Sequence, residues 1–260
     1  KSTLNRLEWA RASGTTRYQR IEVDTAAIER LFVALFLEAH TAAPEEIVLD
    51  LDATDDPLHG NQEGRFFHGY YDHYCYLPLY IFCGRHLLSA TLRPANIDGA
   101  AGAKEEVERL VAQIRERWPE TRIILRADSG FAREALMGWC EGHHVEYVFG
   151  LARNKRLEAW LAPTLAQVGE RVTAEGRAGR EFAEQSYRTR DSWSRARRVI
   201  GKAEVTLLGS NPRFVVTSLS ATAWEARALY EELYCARGEM ENRIKEAQLD
   251  LFADRTSSHA

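Results

Sequence analysis

Long hydrophobic runs are missing from this chain. Its longest purely apolar stretch, Leu31–Leu37, makes about two turns of helix. A membrane-spanning helix needs roughly 20 apolar residues, so none is expected. The opening residues KSTLNRLEWARASG hold no apolar segment and therefore no signal peptide, and a start at Lys1 suggests a fragment or a processed product. Cysteine is scarce. The four present, Cys75, Cys83, Cys140 and Cys235, show no C-x-x-C and no paired Cys/His spacing. That pattern argues against a structural zinc site and fits isolated reduced thiols in a cytosolic protein. The 7 prolines and 17 glycines are scattered, which excludes a collagen-like or low-complexity chain.

An excess of positive charge is missing as well. The net charge is −4, against a protein basic all over. The average conceals a division, because Leu151 to Arg213 holds 13 Lys/Arg against 7 Asp/Glu. Such asymmetry permits a local anion-binding surface on an otherwise acidic body.

What is present reads as an ordinary globular chain of 260 residues, with 45% hydrophobic and 28% charged side chains. Asp24 can cap a helix in which Ile28, Leu31, Phe32, Leu35, Phe36 and Ala39 share a face and Pro44 follows. In EEIVLDLDA, Ile47, Leu49 and Leu51 alternate with Val48, Asp50 and Asp52, the period of a strand. Strands are expected at Tyr74–Phe82 and His86–Leu92, around a Cys83-Gly84-Arg85 turn. A helix is expected at 101–118, where Val107, Leu110, Val111, Ile114 and Trp118 share a face. A strand at Arg122–Ala127, a helix from about Ala132 to Glu141 and a strand at Val145–Gly150 follow. The order β-β-β-α-β-α-β implies an α/β domain with a mixed sheet flanked by helices. Residues 151–222 read as a basic, β-rich insertion, with alternation in Arg198–Leu208 and Arg213–Leu219. A long helix is expected from about Thr222 to Gln248.

Three acidic positions stand out. Asp50 and Asp52 lie two apart on one strand face, and an acid on a core strand is costly unless paired; either could instead cap a neighbouring loop. Asp128 follows an apolar strand and precedes Ser-Gly, where open α/β sheets place their functional crevice. It could equally be a helix N-cap. Glu241 lies on the long helix with Tyr234, Arg237 and Lys245 in one stripe, beside the apolar stripe of Leu229, Leu233, Ala236, Met240, Ile244 and Ala247. A solvated Arg237–Glu241 pair would explain that spacing too. The pattern Y-x2-R-x3-E arises by chance in roughly one chain in ten of this composition, so alone it is weak. His59, His68, His73, His143 and His144 show no ligand spacing and are expected to fill polar loop roles.

In their order, however, the segments LDLDATDDPLHGNQEG, YLPLYIFCG, LRPAN, ILRADSGF, RFVVTSL, YCARGEMENRIKEAQ and LFADRTSS resemble the DDE insertion-sequence transposases, the group with the Y-x2-R-x3-E signature and a D-x-D-A-T first strand. The resemblance implies a ribonuclease H-like core, with a β-rich insertion before the last catalytic helix. Its parts would be an N-terminal segment and helix left from an upstream region (1–44), the first part of the core (45–150), the basic insertion (151–221), and the helix carrying the Glu with a truncated C-terminus (222–260).

By the same resemblance, Asp52, Asp128 and Glu241 form a metal-binding catalytic triad, with Asp50 the alternate for the first acid. Tyr234 and Arg237 match the signature. The lysine expected seven residues after the Glu is Gln248 here, and Lys245, one turn earlier, stands as its substitute. Mutually repelling carboxylates call for divalent cations, and hard oxygen ligands suit Mg²⁺, with Mn²⁺ a replacement and two ions expected. The implied partners are double-stranded DNA, as element ends and target, and a second copy of the chain in a synaptic homodimer. Tyr234, Arg237, Lys245, Arg195, Arg197 and Arg198 would contact DNA, joined by Arg188 and Arg190. Trp193 would stack on an unpaired base, although packing in a β-hairpin is its alternative role. An inactive DNA-binding relative acting as an inhibitor and a ribonuclease H-like nuclease remain the competing functions.

Overall fold

The computed structural model describes residues 24–58 and 64–250. The expectations for residues 1–23, for His59, for most of GNQEG and for LFADRTSS lie outside the described residues. Helix α1 (Thr25–Glu38) starts where expected, with the Asp24 side chain accepting from the Ala27 N–H at 2.9 Å. Its buried face is Val33, Phe36 and Leu37, whereas Ile28, Leu31 and Leu35 are exposed. The expected face was therefore wrong. The segment is apolar almost all round, so periodicity alone could not select the side that packs.

Strand β1 (Glu46–Ala53) lies in the middle of the main sheet. It pairs in parallel with β7 (Arg122–Ala127) and antiparallel with β5 (Leu79–Cys83), which continues into β6 (His86–Thr91). Between β1 and β5 the chain builds a second small sheet that sequence reading did not foresee, from β2 (Asp56–Pro57), β3 (Phe66–His68) and β4 (His73–Tyr76). The expected single strand Tyr74–Phe82 is thus two strands, broken at Leu77-Pro78. Proline has no N–H to give to a ladder, and Leu77 instead exchanges hydrogen bonds with Arg93.

Helix α2 (Ala103–Arg117) buries Val107, Leu110, Val111 and Ile114, with Trp118 beside them, as the sequence spacing requires. Helix α3 (Glu134–Gly142) joins β7 to β8 (Glu146–Leu151), which runs parallel to β7. The order β6-β5-β1-β7-β8, with its first three strands antiparallel and β1, β7 and β8 parallel, is the ribonuclease H-like arrangement.

The stretch after β8 departs from expectation. It opens with a 21-residue helix, α4 (Lys155–Glu175), capped by Asn154 and ended by Gly176 in the left-handed conformation at φ +67. Then come β9 (Gly179–Tyr187), β10 (Arg197–Thr206), the short β11 (Gly209–Ser210) and β12 (Arg213–Thr217). β10 and β12 lie where alternation put them, but β9 was not foreseen and the region is not purely β. They also extend the main sheet, since β12 pairs with β8 and β10 with β12.

The sheet has helices on both faces. Ile47, Leu49 and Leu51 of β1 face the core shared with α1, α2, α3 and α4. Val48, Asp50 and Asp52 face the other side, which the C-terminal helical segment covers. There Leu229, Tyr230 and Leu233 pack on Ile124, Val148 and Val215, and Met240 and Ile244 pack on Tyr80 and Phe82. That segment is not one uniform helix. It passes from a short α turn, α5 (Ala226–Ala228), through a π-helical turn (Leu229–Tyr234) and a 3₁₀ turn (Cys235–Arg237) into α6 (Gly238–Asp250).

Candidate active site

The parallel strands β1, β7 and β8 all finish at one edge of the sheet, and two of the three acids sit there. Asp52 is the penultimate residue of β1, and Asp128 follows β7 directly. Glu241 arrives from the covering helix, one turn into α6. Asp52 is largely buried, and its carboxylate meets the Arg237 guanidinium at 3.7 Å. Arg237 also donates to Glu241 Oε1 at 3.0 Å. Burial pushes the Asp52 carboxyl up to about 6; Arg237 pulls it down, while the negative charges of Asp128 and Glu241 raise it further. Asp52 is therefore within electrostatic reach of both Asp128 and Glu241, and the Arg237 cation stands between Asp52 and Glu241.

The competing roles foreseen for two of these residues are also observed. Asp128 accepts from the Gly130 N–H at 2.8 Å, capping the 3₁₀ turn Ser129–Phe131. Glu241 makes the i,i+4 pair with Arg237 and is half exposed, at 49%. Neither role consumes all of a carboxylate's acceptor capacity.

Asp50 is differently placed. Arg126, its partner across the β1–β7 ladder, grips both of its oxygens, at 2.5 and 2.7 Å, and donates to the Leu233 carbonyl at 2.5 Å. Burial raises the Asp50 carboxyl while Arg126 opposes that shift. This pair ties β1 and β7 to the π turn and leaves Asp50 no oxygen facing the Asp52 cleft without a partner. Arg126 was not singled out in the sequence. The signal was an arginine inside an apolar strand, which demands an acid opposite.

A divalent cation at the Asp52–Asp128–Glu241 site fits the chemistry of the donor set, all hard carboxylate oxygens; the Asp52 carboxyl is raised mainly by burial, with smaller contributions from the charges of Asp128 and Glu241 that a cation would offset. Among the described residues, no three His, Cys, Asp or Glu side chains, these three acids included, are gathered closely enough to hold a metal ion as they stand.

A family model for the transposase DDE domain, group 1, matches residues 1–260. The chain belongs to that family. No curated protein matches it. Among solved structures, the Mos1 transposase paired-end complex with left transposon end is similar with a TM-score of 0.28 and 15% identity, over 65% of this chain and 56% of that one. This chain thus spans a little over half the length of that structure's chain.

The remaining residues expected at the site of this transposase domain divide sharply. Tyr234 ends the π turn with its ring against the β7–β8 edge. A Cβ on Gly150 would stand 2.7 Å from the Tyr234 hydroxyl and 2.8 Å from the Ser129 nitrogen, so the bare glycine is what lets β8, Asp128 and Tyr234 close up. Burial raises the Tyr234 hydroxyl, and the charge of Asp128 adds to that rise. Tyr71, also not foreseen, lies near the same acids: burial, then Asp55, Asp52 and Asp128, push it up to about 12. Lys245 is exposed on α6. Gln248, standing where the resemblance expects lysine, donates to the Asp55 carbonyl just beyond β1 at 3.1 Å.

Trp193 is not an exposed stacking residue. It is buried at 4% exposure, edge-on to Tyr187 at 5.8 Å, with its N–H donating to Thr189 Oγ1. Arg197 is buried too, bound by Glu134 and Glu141 of α3. Arg198 is held by Glu184 and the carbonyls of Leu219 and Trp224. These three side chains are engaged within the domain, bracing it. Arg188 donates to the Trp193 carbonyl. Arg195 and Arg190 are exposed, Arg195 lying 3.7 Å from Glu141. His143 Nδ1 donates to the Trp139 carbonyl just past α3, whereas His73, paired with Asp55 at 2.7 Å, and His68, tilted against Tyr71, lie in strands β4 and β3 and not in the loops expected of them. Among the described residues, no helix is long and apolar enough to cross a membrane.

Proposed function

We propose that this domain is the catalytic core of a DDE transposase, which nicks DNA at the ends of a mobile element and transfers the freed 3′ end to a target strand by in-line phosphoryl transfer. The observation that carries this reading is the buried Asp52 carboxylate, coupled to Asp128 and Glu241 at the carboxyl edge of the parallel strands. Asp52, Asp128 and Glu241 would hold Mg²⁺, with Mn²⁺ as a replacement and two ions the expected number. Bound there, the ions supply charge for the attacking and leaving oxygens of the displacement.

The chain's own groups do the rest. Arg237, now shared by Asp52 and Glu241, is positioned to exchange those carboxylates for a DNA phosphate. The Tyr234 hydroxyl borders Asp128, where it can orient the strand. Lys245 and Arg195 are exposed cations for more distant phosphates. Double-stranded DNA, as element ends and target, is the proposed partner, with two copies of the chain in the synaptic complex and the cytoplasm as the compartment. A second reading, an inactive relative that binds DNA and inhibits, is favoured by one observation: Arg237 already neutralises two of the acids.

One experiment decides between them. Nicking of terminal-repeat DNA by the wild-type chain in Mg²⁺, lost in Asp52→Asn, Asp128→Asn and Glu241→Gln, supports the enzyme. Full strand cleavage by any of these variants removes that residue from the triad, and binding without cleavage by the wild type selects the inhibitor.

A further inference from the structure

Beyond Asp128, on the side away from Asp52, lies a cavity of about 260 Å³ lined by Asp128, Gly150, Tyr230, Tyr234, Arg153 and Arg213. The strand order accounts for its position. Asp52 sits on β1, Asp128 after β7, Arg153 just past the end of β8, and Arg213 at the start of β12, the antiparallel neighbour of β8. In the β8–β12 ladder Phe214 faces Leu151, so both arginines stand at the open end of the same strand pair.

What marks them is that both lack partners and both line one cavity with Asp128. Arg171, Arg177 and Arg180 are also exposed, yet each is paired with glutamate. Arg153 and Arg213 make no hydrogen bond or ion pair with their side chains among the described residues, and one wall of their cavity is the carboxylate-bearing loop of Asp128. Two unpaired guanidiniums converging on a space smaller than a typical small-molecule pocket suit one unit of a charged polymer, not a whole free ligand.

We propose that Arg153 and Arg213 clamp one backbone phosphate of the DNA strand beside the scissile bond, on the β8 side of the triad. They are positioning residues. The proposal rests on the transposase reading above for its substrate, and Arg237 would hold the strand from the opposite side, next to Asp52.

The test is fluorescence anisotropy with a short fluorescein-labelled duplex of arbitrary sequence carrying a central nick, titrated in Ca²⁺ over a series of KCl concentrations. The slope of log K against log salt counts phosphates neutralised, about 0.9 per contact. Combining Arg153→Ala with Arg213→Ala should lower that slope by about one and weaken binding severalfold, whereas Arg153→Lys with Arg213→Lys should keep the slope. Arg177→Ala, a paired arginine elsewhere, should leave it unchanged. Replacing single phosphates near the nick by methylphosphonate should weaken the wild type at one position and leave the double-alanine variant indifferent there.

An unchanged slope in the double-alanine variant, an equal loss in Arg177→Ala, or no binding by the wild type overturns the clamp. Cleavage by Asp52→Asn tests the parent reading separately. If that variant cuts DNA fully, the catalytic assignment falls whatever the salt slope. If it is dead and the slope stays unchanged, only the clamp falls.

Discussion

Arg237 stands 3.7 Å from the Asp52 carboxylate and pairs at the same time with Glu241 on α6, linking the end of β1 to that helix. Even so, Asp52 is pushed up to about 6, because burial and two neighbouring acids outweigh a single guanidinium at that distance. Between its unfolded value near 3.8 and about 6, the folded chain holds this proton more tightly than the unfolded chain does. Stability therefore falls as pH rises through that window and stays lowered above it. Asp52→Asn should raise stability at pH 7 by about 3 kcal/mol, with no gain below pH 4. Mg²⁺ should raise the melting temperature of the wild type at pH 7 and leave Asp52→Asn unmoved. Parallel pH–melting curves for the two proteins would show that Asp52 is not the strained group.

Asp50, two residues away, should behave in the opposite manner. Its carboxylate neutralises a buried arginine, and removing one partner of such a pair costs about 3–5 kcal/mol, largely for the charge left behind. Asp50→Ala should unfold at much lower denaturant concentration, and adding Arg126→Met should recover part of the loss. If Asp50→Ala keeps full stability and loses only metal-dependent activity, the two acids must exchange roles.

Trp193→Ala should be a folding variant. The ring is enclosed by Tyr187 and the Arg197 guanidinium, 5.4 Å from its centre. Truncating a buried aromatic of this size costs about 3–5 kcal/mol. Denaturation should register that loss, with Trp193→Phe recovering much of it. Normal stability combined with a selective defect in processing unpaired DNA ends would restore Trp193 to the DNA surface.

These contrasts show what the sequence could carry. The strand carrying Asp52 and the helix before β7 were legible because Ile47, Leu49 and Leu51 repeat at the strand period and Val107, Leu110, Val111 and Ile114 at the helix period. Helix α4 has the same kind of signal in Leu157, Leu161, Val168 and Val172, but Pro163 and Gly169 within it read as breakers. The fate of the arginines was not legible. Arg197 looks like any exposed cation until the fold brings Glu134 and Glu141, more than 50 positions away, against it. Likewise Asp50 and Asp52 are equivalent by spacing, and only the register with Arg126 separates them. The π turn shows no pattern of its own, although it sets where Tyr234 meets Gly150.

That last contact makes Gly150 the most sensitive small residue near the site. In Gly150→Ala the new methyl group would need space already held by the Tyr234 hydroxyl, the Ser129 nitrogen and, at 3.1 Å, the Asp128 carbonyl carbon. Two of these neighbours are backbone, which cannot rotate aside, so β8 and the Asp128 loop must separate. Overpacking of this kind costs about 1–3 kcal/mol. Gly150→Ala should accordingly lower the melting temperature and reduce DNA nicking together, through displacement of Asp128. Adding Tyr234→Phe, which removes the closest atom, should recover part of the stability but not the nicking, since the clash with Ser129 persists. Full recovery of both by Tyr234→Phe would mean that the hydroxyl alone fills the space, and that the position of the Asp128 loop does not depend on Gly150.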